Sequence, residues 1–212
     1  MRYIEYDYAD KLLNRSKYYV KDAKSNIRKW NLVFGNNNPI DVEIGPGRGA
    51  FIIEMAKENP DRNFVGIELY PSQLVPCVNE LNDLDLPNLR LIVGDAIDID
   101  DYFFKEIDTI YINFPDPWPN KTNTNRRLTH ERFLQKYDKI YKKNKHLILK
   151  TDNKIFFAFS LESLSEYWYS FKRVSLDLHN DERNIKSVMT NYENEYSKTD
   201  NRPIYYLEAE YK

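Results

Sequence analysis

The chain reads as an α/β protein: a doubly wound, mainly parallel sheet with helices on both faces and an antiparallel hairpin at its C-terminal edge. Three observations predict this. Short apolar runs alternate with helix-like stretches from residue 40 to residue 167, as successive β-then-α units do. A glycine-rich turn, Gly45-Pro46-Gly47-Arg48-Gly49, follows the first apolar run directly. Two more strand-like segments close the chain with no long helix between them.

The elements follow in order. Val20, Ala23, Ile27 and Trp30 recur at helical spacing, with Lys17, Lys21, Lys24 and Arg28 as a second stripe one residue on. These stripes predict a basic leader helix that packs on the body and shows a row of cations; an ordinary amphipathic helix is the plainer reading. Gly35-Asn36-Asn37-Asn38-Pro39 is a turn cluster, so residues 1–38 form the leader and 39–212 the main domain. Buried strands are expected at Ile40–Ile44, Asn63–Glu68, Leu89–Val93, Thr109–Phe114 and His146–Lys150. Helices are expected at Ala50–Glu58, Ser72–Leu84, His130–Tyr141 and Lys154–Tyr167, with a shorter one at Ile99–Ile107. Phe171–Leu178 and Ile204–Tyr211 supply the edge hairpin.

Composition narrows the function classes. At 212 residues and 42% hydrophobic content one packed domain is expected. No stretch approaches the roughly 18 apolar residues of a membrane helix, and the acids within Met1–Asp7 argue against a secretory signal. The single cysteine, Cys77, excludes an internal disulfide and a cysteine-built metal site, and reads as a small core residue. His130, His146 and His179 are far apart and lack ligand spacing, so no metal is expected. A cytoplasmic protein without a membrane partner follows. The formal charge is only -2, yet residues 14–31 carry +5 and residues 120–145 carry +7. Two basic segments on an acidic body suit a localised polyanion site, although charged runs are commonly just solvated faces.

In doubly wound folds ligands sit beyond the carboxyl ends of the strands. Three acids stand there: Glu43 before the glycine turn, Glu68 in Val65-Gly66-Ile67-Glu68, and Asp95 in Val93-Gly94-Asp95-Ala96. Gly45, Gly47 and Gly49 have the spacing G-x-G-x-G rather than the G-x-G-x-x-G of dinucleotide sites. A carboxylate at Glu43 would repel a pyrophosphate but suits the ammonium and sulfonium of S-adenosylmethionine. Glu68 can accept both ribose hydroxyls and Asp95 an adenine amino group. Each acid alone could equally cap a helix; together they read as an S-adenosylmethionine site.

The fourth strand leads into Asn113-Phe114-Pro115-Asp116-Pro117-Trp118-Pro119, whose three prolines stiffen a loop suited to seating a planar base. Trp118 can stack on that base or pack under the loop. At this point the chain resembles the bacterial tRNA (guanine-N7-)-methyltransferases, which have a Rossmann-like fold. The resemblance rests on Glu43-Ile44-Gly45-Pro46-Gly47-Arg48-Gly49, Gly66-Ile67-Glu68, Phe114 through Pro119, Arg126-Arg127-Leu128, Lys150-Thr151-Asp152-Asn153 and Thr190-Asn191-Tyr192-Glu193.

The resemblance implies methyl transfer from S-adenosylmethionine to N7 of a guanine in the tRNA variable loop, by a monomer or homodimer. It implies that Glu43, Gly45, Gly47, Glu68, Asp95 and Asp116 bind the cofactor and that Asp116 is catalytic. Asn120, Asp152, Thr190, Asn191, Tyr192 and Glu193 would hold the target nucleotide, with Asp152 and Glu193 placed to accept from guanine; Asp152 can also cap the helix that follows. Lys121, Arg126 and Arg127 would contact RNA. The sequence departs from the family at Asn120–Asn125, where a lysine after the last proline and further bases are usual. Three rivals remain: a methyltransferase for another base or a small molecule, an RNA-binding module with a vestigial pocket, and a NAD oxidoreductase. The basic segments disfavour a small substrate, the intact acids disfavour a vestigial pocket, and the glycine spacing disfavours NAD.

Overall fold

The computed structural model describes residues 5–196 and 202–211. Met1–Ile4, the start of the segment read above as no secretory signal, lie outside them. Strand β1 (Ile40–Ile44) is buried along its whole length, as is β2 (Asn63–Glu68). A strand covered on both faces is buried at every position, and the polar residues that fall in these two, Asp41, Glu43, Asn63 and Glu68, are buried with the rest. With β3 (Leu89–Val93), β4 (Ile107–Asn113), β5 (Tyr141–Thr151), β6 (Ser170–Ser175) and β7 (Tyr205–Tyr211) they form one sheet in the order β3-β2-β1-β4-β5-β7-β6. The first five strands are parallel; β7 runs antiparallel to both β5 and β6. The C-terminal strands are thus antiparallel, with β7 slotted inside and β6 on the edge. The strand order reverses at β1, between β2 and β4. Such a switch point opens a crevice at the carboxyl ends of β1 and β4.

Helices cover both faces. On one side α2 (Trp30–Phe34), α5 (Ile99–Tyr102), α6 (Glu131–Ile140) and α7 (Lys154–Glu166) pack against Val42, Ile112 and Leu149. On the other, α1 (Ala9–Leu13), α3 (Ala50–Glu58) and α4 (Val75–Leu81) enclose Phe64, Leu89 and Leu91. The stretch expected as a helix from Ser72 is a 3₁₀ turn, Pro71–Leu74, followed by α4 with Pro76 in its first turn. Cys77 lies in that helix and is buried, as expected. No helix among the described residues is long and apolar enough to cross a membrane.

The leader is not the single basic helix that its periodicity suggests. Arg28 has φ 63° and Ile27 is extended, so the helix cannot run through. Tertiary bonding wins over periodicity here. Leu91 of edge strand β3 donates to the Tyr18 carbonyl at 2.8 Å and accepts from Val20 N at 2.9 Å. The leader therefore pairs with the open edge of the sheet. Its apolar stripe is still used, Ala23 and Trp30 being buried. The cation row does not form: Lys17 meets Asp85 at 2.8 Å, Lys24 meets Asp101 at 2.7 Å, and Arg28 lies over Phe104.

Candidate cofactor and substrate site

Gly45, Gly47 and Gly49 all take left-handed φ values, 79°, 54° and 88°. The turn after β1 therefore needs glycine to fold back into α3. Gly49 is doubly constrained, because a Cβ there would run into the Cys77 thiol.

Glu43 stands at the end of β1, 3% exposed. Asn113 Nδ2, from the end of neighbouring β4, donates to its Oε1 at 2.8 Å. The other oxygen, Oε2, is buried with no hydrogen-bond partner. Burial pushes this carboxyl up to about 7, against the opposing pull of Asn113 and the Lys150 ammonium. A buried carboxylate oxygen with nothing donating to it is costly. A cationic amino group is a chemically fitting partner.

Glu68, also buried, ends β2. Gly47 N donates to its Oε2 and Tyr70 N to its Oε1, both at 3.2 Å. Glu68 thus ties the glycine turn to the next strand. Burial raises its pKa first, and the nearby charge of Asp116 adds to the rise. Asp95 is exposed and accepts from Ile97 N at 3.0 Å, capping the short turn after β3. Its capping is therefore real, and it stands on the same edge as Glu68.

The proline loop crosses the top of β4. Phe114 N donates to the Lys150 carbonyl at 2.8 Å, and Asp116 is exposed. Phe114 and Trp118 both hold positive φ, 49° and 44°. The segment 190–195 lies across the opening as a strap. Asn191 Oδ1 accepts from Ala50 N at 3.0 Å at the start of α3. Tyr192 packs its ring on Phe114 with centroids 4.7 Å apart and donates its hydroxyl to Asp152 at 2.9 Å. Arg48 of the glycine turn meets Glu195 at 2.6 Å. Asp152 is not a helix cap: Asn153 takes that place, accepting from Phe156 N at 2.9 Å.

Two of the expected site residues turn their side chains inward. Glu193 is 1% exposed, and its carboxylate takes Lys150 Nζ at 2.6 Å, Thr190 N at 2.8 Å and His179 Nε2 at 3.3 Å. Glu193 N in turn donates to Thr190 Oγ1 at 3.0 Å. Thr190 and Glu193 therefore form a capping box that opens α8 (Asn191–Tyr196). These contacts engage both carboxylate oxygens within the protein. Arg127 is 4% exposed and donates to the Pro117 and Trp118 carbonyls, each at 3.0 Å. It faces inward, whereas its neighbour Arg126 is exposed and lies over the Trp118 ring, 4.7 Å from its centroid. Asn120 and Lys121 are exposed at the start of the same loop.

The basic segment 120–145 is likewise dispersed. Lys136 and Lys139 both meet Asp100, and Lys145 meets Asp138 at 2.6 Å. Two site residues, Asn113 and Lys150, escaped the sequence reading. Asn113 is the last residue of β4 and Lys150 follows the apolar Leu147–Leu149 of β5, and those interruptions were the available signal. The histidines take ordinary places: His130 accepts from Arg132 N, and His146 sits between Thr109 and Glu208. Among the described residues no cluster of His, Cys, Asp and Glu could hold a metal ion.

A cavity of about 790 Å³ lies beside α3 under residues 186–189, with Asn113 and Lys150 in its wall. Glu43, Glu68 and Asp95 are not in that wall, so the site is defined by its side-chain chemistry rather than by this cavity.

A family described as putative methyltransferases matches residues 37–207. The tRNA (guanine-N(7)-)-methyltransferase of Geobacillus thermodenitrificans (strain NG80-2) is 46% identical over 201 residues, 94% of this chain and 92% of that protein. The protein of the same description from Bacillus subtilis (strain 168) is 45% identical over 186 residues, 87% of this chain and 86% of its own length. The fold is shared more widely. A solved antibiotic-related methyltransferase superposes with a TM-score of 0.67 at 16% identity, over 85% of this chain and 92% of that one. With near-half identity over almost its whole length, the chain belongs to the tRNA (guanine-N(7)-)-methyltransferase family.

Proposed function

We propose that the protein transfers a methyl group from S-adenosylmethionine to N7 of a guanine in the variable loop of tRNA, in the cytoplasm, acting as a monomer or homodimer. The observation that carries the cofactor assignment is Glu43. Its Oε2 is buried without a partner while Asn113 holds Oε1, at the switch point of the sheet and on the strand that runs into the left-handed glycine turn. The residues present fit the cofactor: Glu43 for its ammonium, Gly45 and Gly47 for close backbone approach, Glu68 for the ribose hydroxyls and Asp95 for the adenine amino group. Bound there, S-adenosylmethionine supplies an electrophilic methyl on a sulfonium.

Guanine N7 carries an in-plane lone pair and no proton at neutral pH, so it attacks without a general base. Positive charge then develops on the purine. Asp116, exposed on its stiff loop and close enough to Glu68 to act on its titration, stabilises that charge and orients the ring. Asn191, Tyr192 and Asp152 position the nucleotide, with Asn120, Lys121 and Arg126 on the RNA side. Thr190 and Glu193 shape the strap from within.

The test is methyl transfer from labelled S-adenosylmethionine to unmodified tRNA, followed by nucleoside analysis. Labelled 7-methylguanosine is the expected product. Label in another nucleoside overturns the target atom. Asp116→Ala should abolish turnover and leave tRNA affinity within about twofold; persistent turnover removes Asp116 from its role.

A further inference from the structure

The two arginines of Arg126-Arg127 divide inside from outside, and the inner one bears on the loop that carries Asp116. Three of the loop's six residues, Pro115, Pro117 and Pro119, have no N–H. The loop therefore has few donors with which to stitch itself together. Its backbone is also held in the left-handed region at Phe114 and Trp118, a conformation that persists only where the surroundings impose it. On one side the imposition is the Phe114 N bond to the Lys150 carbonyl. On the other side it is Arg127. The guanidinium fork donates Nε to the Pro117 carbonyl and Nη2 to the Trp118 carbonyl, and its face lies over Phe159 of α7, 4.5 Å from the ring centroid. Arg127 N itself donates to the Thr124 carbonyl at 3.0 Å. Asp116 is thus suspended between two fastened ends.

We infer that Arg127 is a positioning residue that holds Asp116 in place, and that phosphate contact at this pair belongs to Arg126. The inference rests on the role proposed for Asp116. A planar fork reaching two successive carbonyls is geometry that lysine cannot reproduce, although lysine keeps the charge. A phosphate contact, by contrast, is largely a matter of charge.

The experiment compares Arg127→Lys, Arg127→Ala and Arg126→Ala. Steady-state methyl transfer to tRNA and equilibrium tRNA binding are measured at several salt concentrations, with circular dichroism as the folding check. For Arg127→Lys we expect kcat to fall at least tenfold, with tRNA Kd and its salt slope unchanged within about twofold. For Arg126→Ala we expect weaker binding and a slope shallower by about one. A second readout does not depend on activity. In a Trp168→Phe background, which removes an 80% exposed tryptophan, Trp30 stays buried and acrylamide quenching reports mainly on Trp118. Arg127→Lys should raise that quenching. Wild-type kcat in Arg127→Lys, unchanged quenching, or a salt slope flattened by Arg127→Ala as by Arg126→Ala would each overturn the inference. Failure of the wild-type protein to methylate tRNA would instead sink the proposed function, and the quenching arm would still decide whether Arg127 fastens the loop.

Discussion

Cofactor binding should expel a proton from Glu43, and the structure sets the size of the effect. The Glu43 carboxyl lies near 7 where an ordinary glutamate lies at 4.5. That rise amounts to roughly 3 kcal/mol. At pH 6 about nine in ten molecules hold this group neutral. A cationic amino group against Oε2 favours the ionised form, so binding at that pH releases nearly one proton. The Kd for S-adenosylmethionine should fall about tenfold per pH unit from pH 5 to 7, then level. It should rise again above roughly pH 8, where a free α-amino group loses its charge. Titration calorimetry in two buffers of different ionisation enthalpy counts the released proton directly.

Glu43→Gln should bind more weakly at pH 7.5 and lose the slope below pH 7. Stability moves the opposite way. The folded-state pKa is raised, so the free protein takes up a proton on folding between about pH 4.5 and 7. The contribution of Glu43 is full below that window and is lost as pH rises through 7. Glu43→Gln should therefore raise the Tm of the free protein more at pH 8 than at pH 5. A flat Kd between pH 5.5 and 7, or a slope that survives Glu43→Gln, would refute the reasoning. It would show either that Oε2 does not meet the cation or that Glu68, Lys150 and Glu193 govern the titration.

Two further expectations concern stability. Lys150→Met strands the Glu193 carboxylate in the interior and should cost about 3–5 kcal/mol; adding Glu193→Met should recover most of that in thermal denaturation, and a double variant as unstable as the single would disprove the pairing. Gly49→Ala should destabilise by about 2–3 kcal/mol, since it combines an unfavourable φ with an overlap on Cys77; a denaturation midpoint within error of wild type would mean the turn relaxes freely.

Much of the fold was legible because β1, β2 and β3 are short segments rich in Ile, Val, Leu and Phe, and α3 is a helix with one buried face. Their bounds in the sequence and in the structure coincide. The places of Glu43, Glu68 and Asp95 were legible as well, because in a doubly wound sheet the strand pattern itself sets the residues at and just beyond each carboxyl end. The leader misled for the opposite reason. Its apolar stripe is real, but the backbone around Tyr19 is claimed by edge strand β3, a long-range bond that helical periodicity cannot reveal.

What the sequence determined by itself was therefore whatever depends on local pattern: the order of elements, the glycine turn, the acids at strand ends and the stiff proline loop. What the tertiary structure decided was which charged groups face one another. Of two adjacent arginines one is exposed and the other buried, and Glu193 turns inward to Lys150, 43 positions away. Lys17 and Lys24 meet acids from elsewhere in the body. A charge in sequence carries no direction. Burial and the geometry of the nearest partner assign one, and only the packed chain supplies both.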